Sequence, residues 1–388
     1  MERGGFVVVN GKGARRLRAG HPWVYGSDVV EERGEAGDAV TVRDGRGTTL
    51  GTAFYNPQST IRIRLVSREP VEVDDGWFRE RIDRAVAYRE TLGIDGDSLR
   101  LVHAEADGLP GLVVDRYGDV LVAQVGTAAV ERHLEAVVEA LVEGIAPAGV
   151  LLRGDTAARG REGLAREDRT LYGEVPQSVV VREGSVRFRV DLRGGQKTGS
   201  FLDQRENHLL AGRLARGRTL DVFSYAGGFG LHAAWRSESV EFVDASGPAL
   251  DTARQNAALN GLENVTFTRA NAFNLLRERS DAGESYDTVI LDPPAFAKTR
   301  REVGKALRAY KEINLRAMKL LAPGGHLITC SCSFHLSREE FEETLRRSAA
   351  DAGAVMRVLE WRGQGKDHPE LLTVPETRYL KCAVLQKT

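Results

Sequence analysis

Residues 219–230, TLDVFSYAGGFG, decide the fold. Leu220, Val222 and Phe223 are strand formers with Asp221 among them, and Gly227, Gly228 and Gly230 then allow a tight turn and close approach of a ligand to the backbone. A helix is expected from about Leu231. A strand, a glycine turn and a helix N-terminus leave unpaired backbone N–H groups in one place, which suits a nucleotide cofactor. The spacing is G-G-x-G rather than G-x-G-x-x-G, which disfavours a nicotinamide enzyme. Alone, the loop reads equally well as a glycine-rich turn of any α/β protein.

Downstream, the apolar run 240–243 ends in Asp244, followed by Ala245, Ser246 and a helix that Pro248 can start. A carboxylate there can take both hydroxyls of a ribose. The alternation continues with a strand at 265–269 before Asn271, Ala272 and Phe273, then a strand at 286–291 running into Asp292-Pro293-Pro294-Ala295-Phe296. A long helix over about 304–321 ends at Pro323-Gly324-Gly325, and a strand at 326–329 leads to Cys330, Ser331 and Cys332. This order argues a doubly wound parallel sheet with ligands at the carboxyl ends of its strands. Asp221, Asp244, Asn271, Asp292 and Cys332 all fall at or just past such ends. Upstream, a hairpin over 179–192 precedes residues 194–205, GGQKTGSFLDQR, a glycine-rich mixture of cation, amide and acid that reads as a site lining or a capped helix entry.

The N-terminal region has a different period. Residues 6–9, 39–42, 48–55 and 61–66 are short alternating runs of a small all-β unit. Between the first two lie Lys12, Arg15, Arg16 and Arg18, then His21 and Trp23. Cations beside exposed aromatics suit RNA, whose phosphates meet the charges while its bases stack on rings; a solvated charged face with a core tryptophan is the alternative. A polar boundary near 68–76 precedes helices at 77–92 and 128–142 and strands at 99–104, 112–117, 120–125 and 150–153, an α+β unit. Residues 154–168 read as an exposed polar loop. The expected domains are therefore 1–70, 71–175 and 176–388.

Bulk properties agree with this division. A chain of 388 residues exceeds one ordinary domain, and 42% hydrophobic with 28% charged residues is a globular composition. The apolar run near the N-terminus is too short for a secretory signal and no membrane segment is visible, so a cytoplasmic location is expected. Three cysteines do not form a disulfide framework. A net charge of −1 gives no global attraction to nucleic acid, so any RNA contact must be local.

The glycine loop, Asp244, Asn271-Ala272-Phe273, DPPAF and the CSCS run together resemble class I S-adenosylmethionine-dependent methyltransferases, which have a Rossmann-like α/β domain. More narrowly, GGQKTGSFLDQREN, DVFSYAGGFG, LDPPAFAK, TCSCS and the late DHPE…YLK segment are similar to the RlmI-type ribosomal RNA cytosine-C5 methyltransferases. HPWVYGSDV resembles the start of that family's small β-barrel PUA domain and EADGLPGLVVDRYGD its central α+β domain, so the likeness spans nearly the whole chain. It implies S-adenosyl-L-methionine as cofactor and ribosomal RNA, or a ribosomal subunit precursor, as substrate, with a homodimer as the assembly.

Carried over by position, the resemblance puts Asp244 on the cofactor ribose. Tyr225, Gly227, Phe201 and Gln204 fall around the methionine moiety, Asp221 and Ser246 within the same rim, and Asn271 with Ala272 beside the adenine. The family often has aspartate where Asn271 stands. Asp292, which would also border the cofactor, would with Pro293 and Pro294 receive the base, and Cys332 would attack C6 so that C5 becomes nucleophilic. Lys12, Arg15, Arg16, His21 and Trp23 would contact RNA. Cys330 is read as a structural thiol, and a metal site of Cys330, Cys332 and His335 is set aside for want of a fourth ligand. Related enzymes often carry a second cysteine after Asp-Pro as the releasing base; Ala295 and Phe296 stand there, leaving a water or a carboxylate for that step. The rival readings are methylation of a ring nitrogen such as guanine N7, which needs no cysteine, and a non-catalytic RNA-binding assembly factor.

Overall fold

The computed structural model describes residues 5–194 and 198–388, so Gly195, Gln196 and Lys197 of the expected lining segment lie outside the described residues. The chain divides into two compact units: Met1–Val181, Val190–Ser200 and Lys366–Thr377 form the first; Arg182–Arg189, Phe201–Gly365 and Arg378–Thr388 form the second.

The second unit is built on seven strands: β1 (Gly217–Val222), β2 (Ser237–Asp244), β3 (Val265–Arg269), β4 (Tyr286–Leu291), β5 (Leu321–Ser331), β6 (Met356–Arg362) and β7 (Lys381–Lys387). Their order across the sheet is β3-β2-β1-β4-β5-β7-β6. The strands from β3 to β5 pair in parallel, and β7 lies antiparallel between β5 and β6. The interleaved helices are α1 (Arg205–Leu214), α2 (Gly228–Ala234), α3 (Gly247–Leu259), α4 (Ala272–Asp281), α5 (Val303–Leu320) and α6 (Arg338–Ala352).

A parallel strand covered on both faces must be apolar on both, and β1 is: Thr219, Leu220, Asp221 and Val222 are all buried. Alternation then sorts the core. Leu220, Val222, Val289 and Leu291 pack with Tyr310, Ile313 and Phe341 on one face. Phe242, Ile290, Ile328 and Cys330 pack with Phe229 and Leu231 on the other. Truncating Leu220 to alanine in this setting costs about 2–5 kcal/mol. Asp221 lies in register with Phe242 and Ile290, and is thus the one carboxylate on an apolar row. The chain leaves β1 toward β2 and returns on the other side at β4, which makes β1/β4 the switch point where an open α/β sheet binds its ligand.

The first unit holds two sheets. In one, Trp23–Tyr25, Ile61–Ser67, Thr49–Tyr55, Ala39–Asp44, Phe6–Val9 and Val29–Arg33 are neighbours in that order, around a core of Val7, Val9, Val24, Val42 and Ile63. In the other, strands Arg169–Gly173, Gly149–Leu152, Val120–Val125, Leu112–Tyr117 and Ser98–His103 pack against helices Asp75–Glu90 and Leu134–Ile145 through Phe78, Ile82, Val137 and Leu141. On this pair of sheets we propose the division at about residue 70, with a third domain from about 176. Two local expectations are corrected. The helix expected over 128–142 breaks at His133 into Ala128–Arg132 and Leu134–Ile145. The polar loop 154–168 contains the short helix Ala157–Arg161, whose buried Arg159 donates to the carbonyls of Val125 and Ala165 and pairs with Glu131 at 2.7 Å. Among the described residues no helix is long and apolar enough to cross a membrane.

Candidate active site

The rim of the sheet begins at the glycine loop. Gly227 adopts φ +95°, as its lack of a side chain permits, but Phe223 (φ 65°) and Tyr225 (φ 47°) are also left-handed. Such a conformation is costly for bulky residues and persists where surrounding structure enforces it, commonly at functional loops. The Phe223 and Ser224 N–H groups both donate to the Val243 carbonyl, which fastens the loop to β2. A side chain at Gly230 would begin 2.3 Å from Phe242 Cε1 and 2.8 Å from Asp221 Oδ2, so the helix can approach the strand only as glycine.

Asp221 Oδ2 accepts the Gly230 N–H at 2.9 Å, while Oδ1 is buried with no partner among the described residues. Burial pushes the Asp221 pKa up to about 7, the nearby Asp292 and Asp244 charges adding to the effect and the Gly230 N–H opposing it. Asp244 is held differently. Its Oδ2 takes the Tyr225 N–H at 3.0 Å and its Oδ1 the Ser246 N–H at 2.8 Å, leaving acceptor capacity on both oxygens. Ser246 caps α3 by accepting the Ala249 N–H. Phe201 meets the Tyr225 ring edge-on at 5.2 Å. A ribose diol needs acceptors such as those of Asp244, and the Asp221 Oδ1 and buried Ser224 Oγ, neither with a partner among the described residues, leave polar capacity beside the glycine turn for the rest of a nucleoside cofactor.

At the end of β3, Asn271 Oδ1 accepts the N–H groups of Phe273 and Asn274 and so caps α4. The side-chain oxygen of Asn271, the residue expected beside the adenine, is thus already engaged in the helix cap. Ala272 beside it is buried.

Asp292 follows β4, its N–H donating to the Val222 carbonyl of β1 at 3.3 Å. Its Oδ1 accepts Gln204 Nε2 at 2.8 Å; Gln204 Oε1 accepts Asn207 Nδ2 at 2.6 Å; Asn207 Oδ1 accepts Arg362 Nε at 2.9 Å. This chain holds the carboxylate from behind. Phe296 packs among Phe223, Phe273 and Tyr310, so the place where related enzymes carry a second thiol is part of an aromatic cluster.

β5 ends at Ser331, and Cys332 lies one residue beyond it, partly exposed, with Sγ 3.8 Å from the Pro293 carbonyl oxygen. Cys330 is fully buried opposite Cys382 on β7, and burial, then the neighbouring Cys382, pushes its thiol well up. It stays a neutral core thiol. Ser333 Oγ receives the Ala297 N–H at 3.2 Å and lies 3.0 Å from the Tyr310 hydroxyl.

Sequence reasoning passed over Lys381. It sits on β7 opposite Ser331 and is buried, its ammonium donating to the carbonyls of Ser333 (2.7 Å) and Tyr379 (2.9 Å) on either hand. Burial lowers its pKa to about 8, opposed by the charges of Cys332 and Glu340. An apolar strand that opens on a lysine, LKCAVL, was the available signal. Glu183 was missed as well: its Oε1 takes both His208 Nδ1 at 2.8 Å and His232 Nε2 at 3.0 Å, and the His208 ring closes the space beside Gly228.

In the first unit, the picture of exposed aromatics in a free basic cluster is corrected. Residues Gly11–Arg18 form a helix capped by Asn10. Lys12 and Arg16 pair with buried Asp28 at 3.5 and 3.2 Å, and Arg18 with Asp44 at 2.5 Å, because a buried carboxylate requires a partner. Trp23 is partly buried, donating from Nε1 to Glu105 at 3.0 Å, and His21 Nε2 meets Glu376 at 3.0 Å. Arg15 is exposed, with no ion pair among the described residues.

This strand order and rim define the class. The profile of S-adenosylmethionine-dependent methyltransferases matches residues 128–372, and that of a PUA-like domain matches residues 7–68. A solved methyltransferase complexed with SAH superposes with a TM-score of 0.85 at 20% identity, covering 98% of this chain and 99% of its own. A methyltransferase from Streptococcus mutans gives 0.83 at 20% identity over the same shares. Both show the shared fold. Among curated proteins, the ribosomal RNA large subunit methyltransferase I of Photobacterium profundum is 42% identical over 389 residues, 97% of each chain. That of Shewanella denitrificans is 40% identical over 383 residues, 95% of this chain and 96% of its own. The chain belongs to the family of these methyltransferases, and its cofactor is S-adenosylmethionine.

Proposed function

We propose that the protein methylates C5 of a cytosine in large-subunit ribosomal RNA, with Cys332 as nucleophile. The observation that carries this reading is the partly exposed Cys332 thiol beside the Pro293 carbonyl, next to a carboxylate held by Gln204. Relatives matching 95–97% of the chain are named for large-subunit ribosomal RNA, and a PUA-like domain accompanies the methyltransferase domain.

Pyrimidine C5 lacks a lone pair, so it must be made electron-rich. The Cys332 thiolate adds to C6, forming the S–C6 bond and breaking the C5=C6 π bond, whose electrons then serve C5. Bound S-adenosylmethionine supplies an electrophilic methyl group. Once C5 carries the methyl group, a water or a carboxylate accepts the C5 proton, the C5–H electrons restore the C5=C6 double bond, and the S–C6 bond breaks to release the thiolate. Asp292 accepts a hydrogen bond from the cytosine exocyclic amine and fixes the ring. Lys381 supports the assignment because a cation within reach of a thiol favours its ionised form. Asp244, with Tyr225, Gly227, Phe201, Asp221, Ser246 and Ala272, holds the cofactor in this reading, and Asn271 contributes through its amide nitrogen.

The reading includes a cytoplasmic location and a homodimer, the latter testable by sedimentation. Mapping 5-methylcytosine in large-subunit ribosomal RNA from cells with and without the gene tests the function. One such mark should vanish on deletion and return with wild type but not with Cys332→Ala. A lost mark on a purine ring nitrogen, restored by Cys332→Ala, would replace it.

A further inference from the structure

Lys12 and Arg16 share the single carboxylate of Asp28, which offsets part of their charge, so a further electrostatic footing for RNA is sought elsewhere. In the second unit one stretch stands apart. Lys298, Arg300, Arg301, Lys305 and Arg308 are all exposed, and none forms an ion pair among the described residues. The single carboxylate among them, Glu302, is spent locally. Its Oε2 accepts the N–H groups of Lys298 and Thr299 in a capping box, which also holds its pKa below the usual carboxylate range.

A solvated face would be the ordinary explanation, but several cations on the same helix and the next are paired. Farther along α5, Lys311 pairs with Asp351 and Arg316 with Asp281; on α6, Arg346 and Arg347 both pair with Glu343. Arg301, Lys305 and Arg308 instead recur at helical spacing on the side opposite the buried Ala306, Tyr310 and Ile313, where like charges repel. The stretch is also fastened at both ends to one residue. Ala297, just before Lys298, donates to Ser333 Oγ, and Tyr310, just after Arg308, meets the same oxygen. Ser333 adjoins Cys332.

We propose that Lys298, Arg300, Arg301, Lys305 and Arg308 form a phosphate-binding face that holds the RNA strand while its target base sits at Cys332. The inference rests on the RNA methyltransferase reading above. Unpaired guanidinium and ammonium groups match a polyphosphate backbone, and contacts of this kind position the strand without reading its sequence.

The test uses the full chain and an unmodified transcript of large-subunit ribosomal RNA. Binding is measured by fluorescence anisotropy across a series of potassium chloride concentrations for wild type and for Arg301→Gln/Lys305→Gln/Arg308→Gln. The variant should bind about tenfold more weakly near physiological salt, with a log–log salt slope shallower by about 2, since each lost phosphate contact removes roughly 0.7–0.9. Its KM for RNA should rise while kcat at saturating RNA and the calorimetric affinity for S-adenosylmethionine stay unchanged. An unaltered slope and KM, with wild type binding and methylating the transcript, would overturn this proposal alone. A wild type that neither binds nor methylates it would overturn the underlying reading as well.

Discussion

Gln204 Nε2 donates to Asp292 Oδ1 at 2.8 Å, joining the entry of α1 to the loop after β4. A carboxylate that must orient a base needs a fixed rotamer, and this bond, backed by Asn207 and Arg362, supplies it. Gln204→Met keeps the volume and removes the donor. A hydrogen bond to a charged group contributes about 1.5–3 kcal/mol, so kcat/KM in a methyl-transfer assay should fall about 10- to 100-fold. Circular dichroism should remain native.

Two glycine substitutions should diverge. Gly230→Ala drives a methyl into Phe242 and Asp221, and should destabilise the domain by about 1–3 kcal/mol and weaken cofactor binding. Gly304→Ala, in α5 with open space around the new carbon, should be neutral or stabilising by up to about 1 kcal/mol. Denaturant midpoints and calorimetry with S-adenosylmethionine measure both.

Lys381 acts as a positioning residue in this account. Lys381→Met preserves the buried stem but removes the ammonium that ties Ser333 to Tyr379 and carries the charge near Cys332. Alkylation of Cys332 by iodoacetamide should require higher pH in the variant, and the acidic limb of the kcat/KM profile should move with it. An unshifted alkylation profile would reduce Lys381 to a packing role.

The Glu183, His208 and His232 cluster makes a prediction about stability. Burial disfavours the Glu183 charge, but His208 and the hydrogen bonds from both histidines outweigh it and hold the carboxyl well below its ordinary 4.5. Burial likewise pushes His208 down, and Glu183 more than offsets this, leaving it above 6.5. The depressed carboxyl contributes stability that is complete above pH 4.5 and lost as pH falls through its folded value. The raised histidine contributes stability that is complete below 6.5 and lost as pH rises through its folded value. Glu183→Gln should therefore cost about 3–5 kcal/mol near neutrality and flatten the stability curve on both flanks, as urea titrations across pH would record.

What the sequence disclosed was mostly periodicity. The strands at 265–269 and 286–291 were legible to the residue: the first alternates Val265 and Phe267 with threonines, as an edge strand does, and the second is a mostly buried apolar run bounded by polar punctuation. The positions of Asp244, Asp292 and Cys332 at or just past strand ends followed from the same pattern. The helix Gly11–Arg18 was hidden, since its apolar stripe is only Ala14 and Leu17 and its charges imitate a nucleic-acid patch. That Asp28 and Asp44 pair with Arg16 and Arg18 depends on contacts 12 and 26 residues apart, which no local pattern announces. Glu183 and the left-handed Phe223 and Tyr225 were invisible for the same reason: each is defined by a tertiary neighbour or a backbone angle rather than by spacing.

The central claim is that Cys332 bonds to C6 of the target cytosine. RNA carrying 5-fluorocytosine at that position cannot release the enzyme after methyl transfer, because fluorine takes the place of the departing proton. Incubation with S-adenosylmethionine followed by denaturing electrophoresis and peptide mass spectrometry should recover a covalent complex linked through Cys332, absent from Cys332→Ala. Continued methylation of the unsubstituted RNA by Cys332→Ala, or turnover on the fluorinated RNA with no adduct, would contradict the account.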